Sequence, residues 1–202
     1  MESVLLSSAY LPPVSFFTAI NSGGDVLIEQ YDNYCKQTYR NRCRIATSAG
    51  VQTLTVPIVK GTSPKQLMKE VRISDHGEWR HQHWNALESA YMNSPFFMYY
   101  QDDFRPFFTE RCEFLYDFNE AIRTKVCELI DIQPRVSDTE AFDASPAIPD
   151  FRQAINPKHP EPDPDFTPKP YYQVYQQKHG FLPNLSILDL LFNMGPESIF
   201  FL

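Results

Sequence analysis

At 202 residues, with 25 acidic side chains against 18 Lys and Arg and a formal charge of −7, the chain is long enough to bury a real core, and a single domain over residues 1–202 is expected. The acidic balance excludes broad nucleic-acid binding, which needs a net basic surface. No run approaches the roughly 20 apolar residues of a membrane span, and Glu2 stands where a leader would be basic, so a cytoplasmic protein with no membrane span is expected.

Val4-Leu5-Leu6 reads as a short buried strand. Ser7 and Ser8 follow, then Tyr10-Leu11-Pro12-Pro13, where the prolines fix the direction of the chain. Val14 to Ile20 is apolar enough for a turn or two of buried helix, which Asn21-Ser22-Gly23-Gly24 ends. Val26-Leu27-Ile28 gives a second strand. Strand, loop, helix and strand in this order predict a βαβ unit with parallel pairing. The Ser7–Pro13 loop then leaves the carboxyl end of the first strand, the edge where open α/β folds bind ligands.

The next run, Lys36-Gln37-Thr38-Tyr39-Arg40-Asn41-Arg42-Cys43-Arg44-Ile45, holds four of the eighteen Lys and Arg residues within nine positions. If extended, it places Lys36, Thr38, Arg40, Arg42 and Arg44 on one side and Gln37, Tyr39, Asn41, Cys43 and Ile45 on the other. A local inversion of charge in an acidic protein is what a site for an anionic group would look like, and the Arg fork fits phosphate or carboxylate. The alternative is a solvated face paired with acids such as Glu29 or Asp32. Ser48-Ala49-Gly50 is turn material, and Leu54, Val56 and Ile58 alternate with Thr53 and Thr55, so a hairpin is expected that ends near Pro57. Lys60 to Lys69 reads as a polar loop, and Val71 and Ile73 as a short strand.

Asp75, with Glu78 three residues on, fits a capping arrangement. Trp79, His83, Leu87 and Tyr91 share one face of the helix that follows, beside Trp84 and Ala90. Asn93-Ser94-Pro95 ends it. Phe96 to Phe108 reads as an aromatic connector. A helix from about Phe108 to Ile130 carries the stripe Phe114, Leu115, Phe118, Ile122, Val126, Leu129 and Ile130, with Asp117 and Glu120 toward solvent. Asp143 to Pro170 holds eight prolines and predicts an extended irregular segment anchored by Phe151, Ile155 and Phe166. Tyr171 to Tyr175 reads as a strand. Asn184 to Asn193 reads as a buried helix, capped by Asn184 or Ser186 and stopped by Gly195-Pro196. Its Asp189 needs a partner.

Few residues carry recognisable chemistry. His76, His81 and His83 with Asp75 and Glu78 have the wrong spacing for a metal site, so none is expected. His83 sits among apolar neighbours, as a hydrogen-bonded core residue or as a catalytic acid or base tuned by burial. Gly61-Thr62-Ser63-Pro64-Lys65 is not a P-loop, and neither GxGxxG nor GxSxG occurs. Cys35, Cys43, Cys112 and Cys127 form no CxxC pair and read as free thiols. No cofactor is read from these residues.

Four blocks together resemble the WbqC-like family. They are Tyr10-Leu11-Pro12 with Phe16-Phe17; the Lys36–Ile45 run; Trp79 and His83 through Tyr91 to Pro95-Phe96-Phe97; and Phe181 to Gly195 preceded by Tyr172-Gln173. The resemblance implies a role in bacterial surface-polysaccharide biosynthesis of the O-antigen type, with group transfer as the suggested reaction. The chain departs from the family in two places. Leu6-Ser7-Ser8 stands where members usually have a His-Gln-Pro run, and Gln30-Tyr31 where a pair of Asp residues is usual.

The expected fold is α/β: a short mixed sheet flanked by helices, a buried C-terminal helix and a proline-rich irregular segment. The expected ligand is a phosphorylated or nucleotide-linked sugar. Lys36, Arg40, Arg42 and Arg44 hold its anion, Tyr10, Tyr39 and Asn41 line the pocket, and His83 is the candidate acid or base. Opposite faces of one strand cannot all reach one ligand, so either the arginines or the Tyr39/Asn41 pair stands behind the other. The alternative is a non-catalytic binding or assembly protein that has lost the family's polar loop residues.

Overall fold

The computed structural model describes residues 3–22, 24–61, 65–157 and 166–202. Strands β1 (Val4–Ser7) and β2 (Asp25–Glu29) pair in parallel across helix α1 (Val14–Ile20), in the register Val4 opposite Val26. This is the expected βαβ unit. A third parallel strand, β5 (Arg135–Asp138), extends the sheet in the order β1-β2-β5. Its sequence, Arg-Val-Ser-Asp, offers one apolar side chain and no run to read. The hairpin of β3 (Arg42–Thr47) and β4 (Gly50–Thr55) turns at Ser48-Ala49 as expected. It pairs separately, so the α/β fold carries, among the described residues, a small parallel sheet and a small antiparallel one in place of one mixed sheet.

The cationic run is extended only in its second half. Residues 36–41 form turns, with Gln37 in the left-handed region at φ 64° and the Thr38 hydroxyl donating to the Cys35 carbonyl at 2.8 Å. Alternation holds from Arg42 on: Cys43 and Ile45 are sealed in the core, while Arg42 and Arg44 are half-buried on the other face.

Helix α2 (Trp79–Tyr91) buries the expected face of Trp79, His83, Trp84, Leu87, Ala90 and Tyr91. Asp75 does not cap it by side chain: its carboxylate turns to Arg80 and Arg111. The aromatic connector is instead a helix, α3 (Phe97–Thr109). Phe97, Phe104 and Phe108 recur at helical spacing and bury one face, and Pro106 sits on the exposed face of the last turn. A proline there removes one bond near a helix end, where hydration replaces it at low cost. A break at residues 110–114 then separates α4 (Leu115–Leu129), which buries Leu115, Phe118, Ile122 and Val126 of the expected stripe; Ile130 is buried just past its end, and Phe114 and Leu129 are half-buried. Asp117 faces solvent as expected. Glu120 does not: it is half-buried against Arg123 at 2.7 Å. Val71 and Ile73 form no strand of their own, although Ile73 bridges Ile58. The described part of 143–170 is irregular, with Phe151, Ile155 and Phe166 packed on the core as anchors. Residues 171–175 alternate in burial but pair with no strand, and lead into the short α5 (Gln176–His179).

Helix α6 (Ile187–Met194) lies at the centre, with its first seven residues buried. Each Leu, Ile or Phe removed from water in this way contributes about 1.5–3 kcal/mol. Ser186 caps it by accepting from the Leu188 amide. Asn184 caps a different helix: its Oδ1 accepts from the Ser15 amide of α1 at 2.9 Å, while the Ile187 amide donates to the Pro12 carbonyl at 2.8 Å. The starts of α1 and α6 thus satisfy each other's unpaired backbone groups. Among the described residues no helix is long and apolar enough to cross a membrane.

Candidate functional site

The carboxyl ends of the parallel strands gather charged side chains that the interior would otherwise reject. β1 ends in Ser7, and Ser8 follows it. β2 ends in Glu29 and leads to Asp32. Arg40 comes from the turns before β3, and Arg152 from the proline-rich segment. Glu29, Asp32, Arg40 and Arg152 are each less than a tenth exposed. A buried charge is tolerated when paired and hydrogen-bonded, and each of these is.

Arg40 forms an ion pair with Asp32, donates to Ser7 Oγ at 3.0 Å and reaches Thr38 Oγ1. Its Nε has no partner, nor does Asp32 Oδ1. Burial raises the Asp32 acid above its ordinary value against the opposing pull of Arg40. Arg152 donates to Glu29 at 3.1 Å, to both carboxylate oxygens of Asp150 at 2.9 and 2.7 Å, and to the Asp143 carbonyl at 2.8 Å. The other oxygen of Glu29 accepts from the Tyr31 amide and the Thr139 hydroxyl. Behind Ser7, the buried Ser8 accepts from Asn119 Nδ2 at 3.2 Å and hydrogen-bonds the Glu120 carboxylate; Asn119 also donates to the Arg40 carbonyl at 2.9 Å. Ser7, Ser8, Thr38, Tyr39, Arg40 and Arg152 line a narrow cleft of about 10 Å³, the room of about one water molecule.

The residues singled out in the sequence divide between this cleft and the core. Arg40 and Tyr39 line the cleft. Arg42 and Arg44 project from β3 beside it: the Tyr34 hydroxyl feels both Arg42 and Arg40, and the Tyr39 hydroxyl is bonded to Arg44. No carboxylate among the described residues pairs with Arg42, Arg44 or the exposed Lys36. Pairing with a nearby acid, the alternative for this run, therefore holds for Arg40 alone. Tyr10, Asn41 and His83 stand in the core. Asn41 is buried and donates to the Val56 carbonyl at 2.8 Å. Tyr10 is fully buried, and its hydroxyl meets His83 Nδ1 at 2.8 Å. His83 also bonds the Thr55 backbone, and burial lowers its pKa to about 4, so the ring is neutral.

Arg152, Asp32 and Asn119 are not among the expected site residues. The one sequence signal for Arg152 is its standing as the sole arginine of the proline-rich segment, next to Phe151. The groups around Asn119 and Ser8 come together only in three dimensions. Among the described residues no three His, Cys, Asp or Glu side chains could hold a metal ion together. All four cysteines are free thiols.

The motif blocks are bound to one another. The Tyr10 amide donates to the Tyr39 carbonyl, Tyr10 meets His83, Tyr91 donates to Asp189, and Phe97 packs on Phe192 with ring centroids 5.1 Å apart. The chain is similar to an uncharacterized protein, Rv1507c, of Mycobacterium tuberculosis (strain ATCC 25618 / H37Rv), at 29% identity over 219 residues, covering 96% of this chain and 94% of that protein. No solved structure matches the chain. The WbqC-like protein family matches it over residues 7–152 and 163–200, from the end of β1 past the end of α6, and the chain belongs to that family.

Proposed function

We propose that this protein recognises the phosphate of a phosphorylated or nucleotide-linked sugar and acts as a group transferase in bacterial surface-polysaccharide biosynthesis of the O-antigen type. It works as a single domain in the cytoplasm. The observation that carries the reading is the state of the cationic run. In a molecule of charge −7, Lys36, Arg42 and Arg44 stand without a carboxylate partner among the described residues, and the same run sends Thr38 and Arg40 into a cleft with Ser7. Guanidinium forks and hydroxyl groups at the carboxyl edge of a parallel sheet suit a phosphoryl group. Family membership supports the pathway.

A second reading, a binding or assembly protein without turnover, is favoured by two observations. Leu6-Ser7-Ser8 stands at the end of β1, where the family resemblance leads one to expect His-Gln-Pro, and His83 is 5% exposed with its Nδ1 held against the Tyr10 hydroxyl. Binding and turnover separate the two. Calorimetric titration with nucleoside-diphosphate sugars, run beside a product assay, should show binding that Arg42→Ala weakens by roughly tenfold or more, with an unchanged melting temperature. Binding without product over long incubation favours the second reading. Absence of binding by any phosphate-bearing compound removes both.

A further inference from the structure

At about 10 Å³ the cleft has room for one water-sized group, so it takes a single oxygen atom of an anion, and the rest of a phosphorylated ligand lies outside it. Two tyrosines lead from the cleft to β3. Tyr39 lines the cleft, and its hydroxyl is bonded to Arg44. The Tyr34 hydroxyl lies in the fields of both Arg42 and Arg40. Residues directly opposite each other in an antiparallel pair point to the same side of the sheet, with Cβ atoms about 4.5–5.5 Å apart. In the hairpin Arg42 stands opposite Thr55, and Arg44 opposite Thr53. Cys43 and Leu54, also opposite each other, face the core. The open side of the hairpin therefore repeats one unit twice, an arginine beside a threonine.

Each unit has the donors of an anion seat. Thr53 and Thr55 are exposed, while Arg42 and Arg44 are half-buried, which restricts how far their side chains wander. Among the described residues neither arginine pairs with a carboxylate, and the Arg42 Nε is buried without a hydrogen-bond partner. A guanidinium fork gives two parallel hydrogen bonds to one phosphoryl group, and a hydroxyl beside it gives a third. Alternate residues of a strand stand about 7 Å apart. One phosphoryl group cannot fill both seats at that spacing. Two phosphoryl groups joined through an oxygen can, because arginine side chains are long enough to converge on them. Charge agrees: two guanidinium groups, with the exposed Lys36 at the head of the same run, match a multiply charged anion in a protein whose net charge is −7.

We infer that the ligand carries a diphosphate, and that Arg42 with Thr55 and Arg44 with Thr53 are its two phosphoryl seats on the open face of the hairpin. The inference rests on the phosphate reading above. It narrows the ligand from any phosphorylated compound to one with two linked phosphoryl groups, and it adds Thr53 and Thr55 of β4 as binding residues.

Calorimetric titration of the intact wild-type protein with inorganic pyrophosphate, orthophosphate and fructose bisphosphate, at constant ionic strength, separates linkage from charge. Fructose bisphosphate is similar to pyrophosphate in charge, but its phosphoryl groups sit at opposite ends of a sugar. Pyrophosphate should bind roughly tenfold or more tighter than either of the others. Affinity for orthophosphate or fructose bisphosphate equal to that for pyrophosphate overturns the diphosphate class and leaves the phosphate reading standing. Failure to bind any of the three or a nucleoside-diphosphate sugar overturns both. UDP titrated beside pyrophosphate reads the source of the diphosphate: tighter binding of UDP supports a nucleotide, equal binding supports the diphosphate alone, and both support the two seats. The paired change Thr53→Val/Thr55→Val removes both hydroxyls and keeps a β-branched shape suited to a strand, so the hairpin is retained. It should weaken pyrophosphate binding by roughly tenfold at an unchanged melting temperature, while Thr53→Ser/Thr55→Ser should bind as the wild type does. Wild-type affinity in the valine pair, or an equal loss in the serine pair, overturns the hairpin face as the site. The comparison of ligands needs no variant, so a variant that fails to fold still leaves the diphosphate class tested.

Discussion

Replacing Asp189 by Asn should expose a pH dependence of stability that the wild type conceals. Asp189 is 0% exposed in the central helix. It accepts from the hydroxyls of Tyr91 and Tyr171 at 2.9 and 2.8 Å and from Gln173 Nε2 at 2.8 Å, all neutral donors. Burial raises its pKa from 3.8 to about 6, and the three donors pull against that rise. The folded protein therefore keeps a proton that the unfolded chain releases between those values. The stabilisation is fully present below pH 3.8 and lost as pH rises through about 6, a change of roughly 3 kcal/mol at 1.36 kcal/mol per pKa unit. His83 has the opposite sign. Burial lowers its pKa from 6.5 to about 4, so the folded protein refuses a proton that the unfolded chain accepts. Its contribution is present above pH 6.5 and lost as pH falls to about 4, again roughly 3 kcal/mol. Between pH 4 and 6 the two slopes offset each other. Asp189→Asn removes one of them. Urea unfolding of both proteins at pH 4.5, 5.5, 6.5 and 7.5 and constant ionic strength should show the variant losing ground to the wild type as pH falls, by roughly 2 kcal/mol between pH 7.5 and 4.5. A difference that stays constant across these pH values would refute the reasoning.

Two further changes test the assignment of motif residues to the core. Tyr10→Phe removes the hydroxyl that meets His83 Nδ1 at 2.8 Å and leaves a buried ring nitrogen without its partner, which should cost roughly 1–3 kcal/mol in chemical denaturation. Pyrophosphate affinity should not change; a loss of affinity at unchanged stability would place Tyr10 in the binding site. Gly195→Ala combines a left-handed backbone, φ 56°, with a Cβ that would fall 2.6 Å from the Phe96 ring. It should lower stability by roughly 1–3 kcal/mol, read as a fall in melting temperature, and wild-type melting would mean that the α6 terminus relaxes freely.

The sequence makes legible those parts of the fold where one physical signal dominates. Val14–Ile20, the Trp79–Tyr91 face and the apolar α6 are patterned strongly enough for periodicity and apolar content alone to identify them. The signals that fail are of two kinds. In Phe96–Phe108, Pro106 and the density of aromatics mask a helical period that one proline near a helix end does not break. In β5, a four-residue strand with one apolar side chain is specified by its neighbour β2, and nothing local announces it. The cationic run shows the limit most clearly. Its alternation is real from Arg42 onward, but Gln37 in the left-handed region turns the first half, so Lys36 and Arg40 do not join Arg42 and Arg44 on one face. The two-face conflict between the arginines and the Tyr39/Asn41 pair resolves accordingly: Asn41 turns inward to Val56, while Tyr39 and Arg40 reach the cleft.

The site and the family motifs also separate for a physical reason. Most of the recognisable blocks bind each other: Tyr10 to His83, Tyr91 to Asp189, Phe96 to the turn at Gly195. These are satisfied, water-excluding contacts, and a neutral His83 enclosed by Tyr10, Trp79 and the Thr55 backbone has no open side from which to meet a substrate. The carboxyl edge of the small sheet is built on the opposite principle. Four buried charges there form two ion pairs, Arg40 with Asp32 and Arg152 with Glu29. Apolar side chains of similar volume would close the same space with equal or greater stability, because desolvating such pairs offsets much of their attraction. Stability alone thus gives little reason for guanidinium groups at that edge, and still less for an Arg40 Nε left without a partner. An anion that shares the Arg40 guanidinium gives one, and this supports the phosphate reading proposed above.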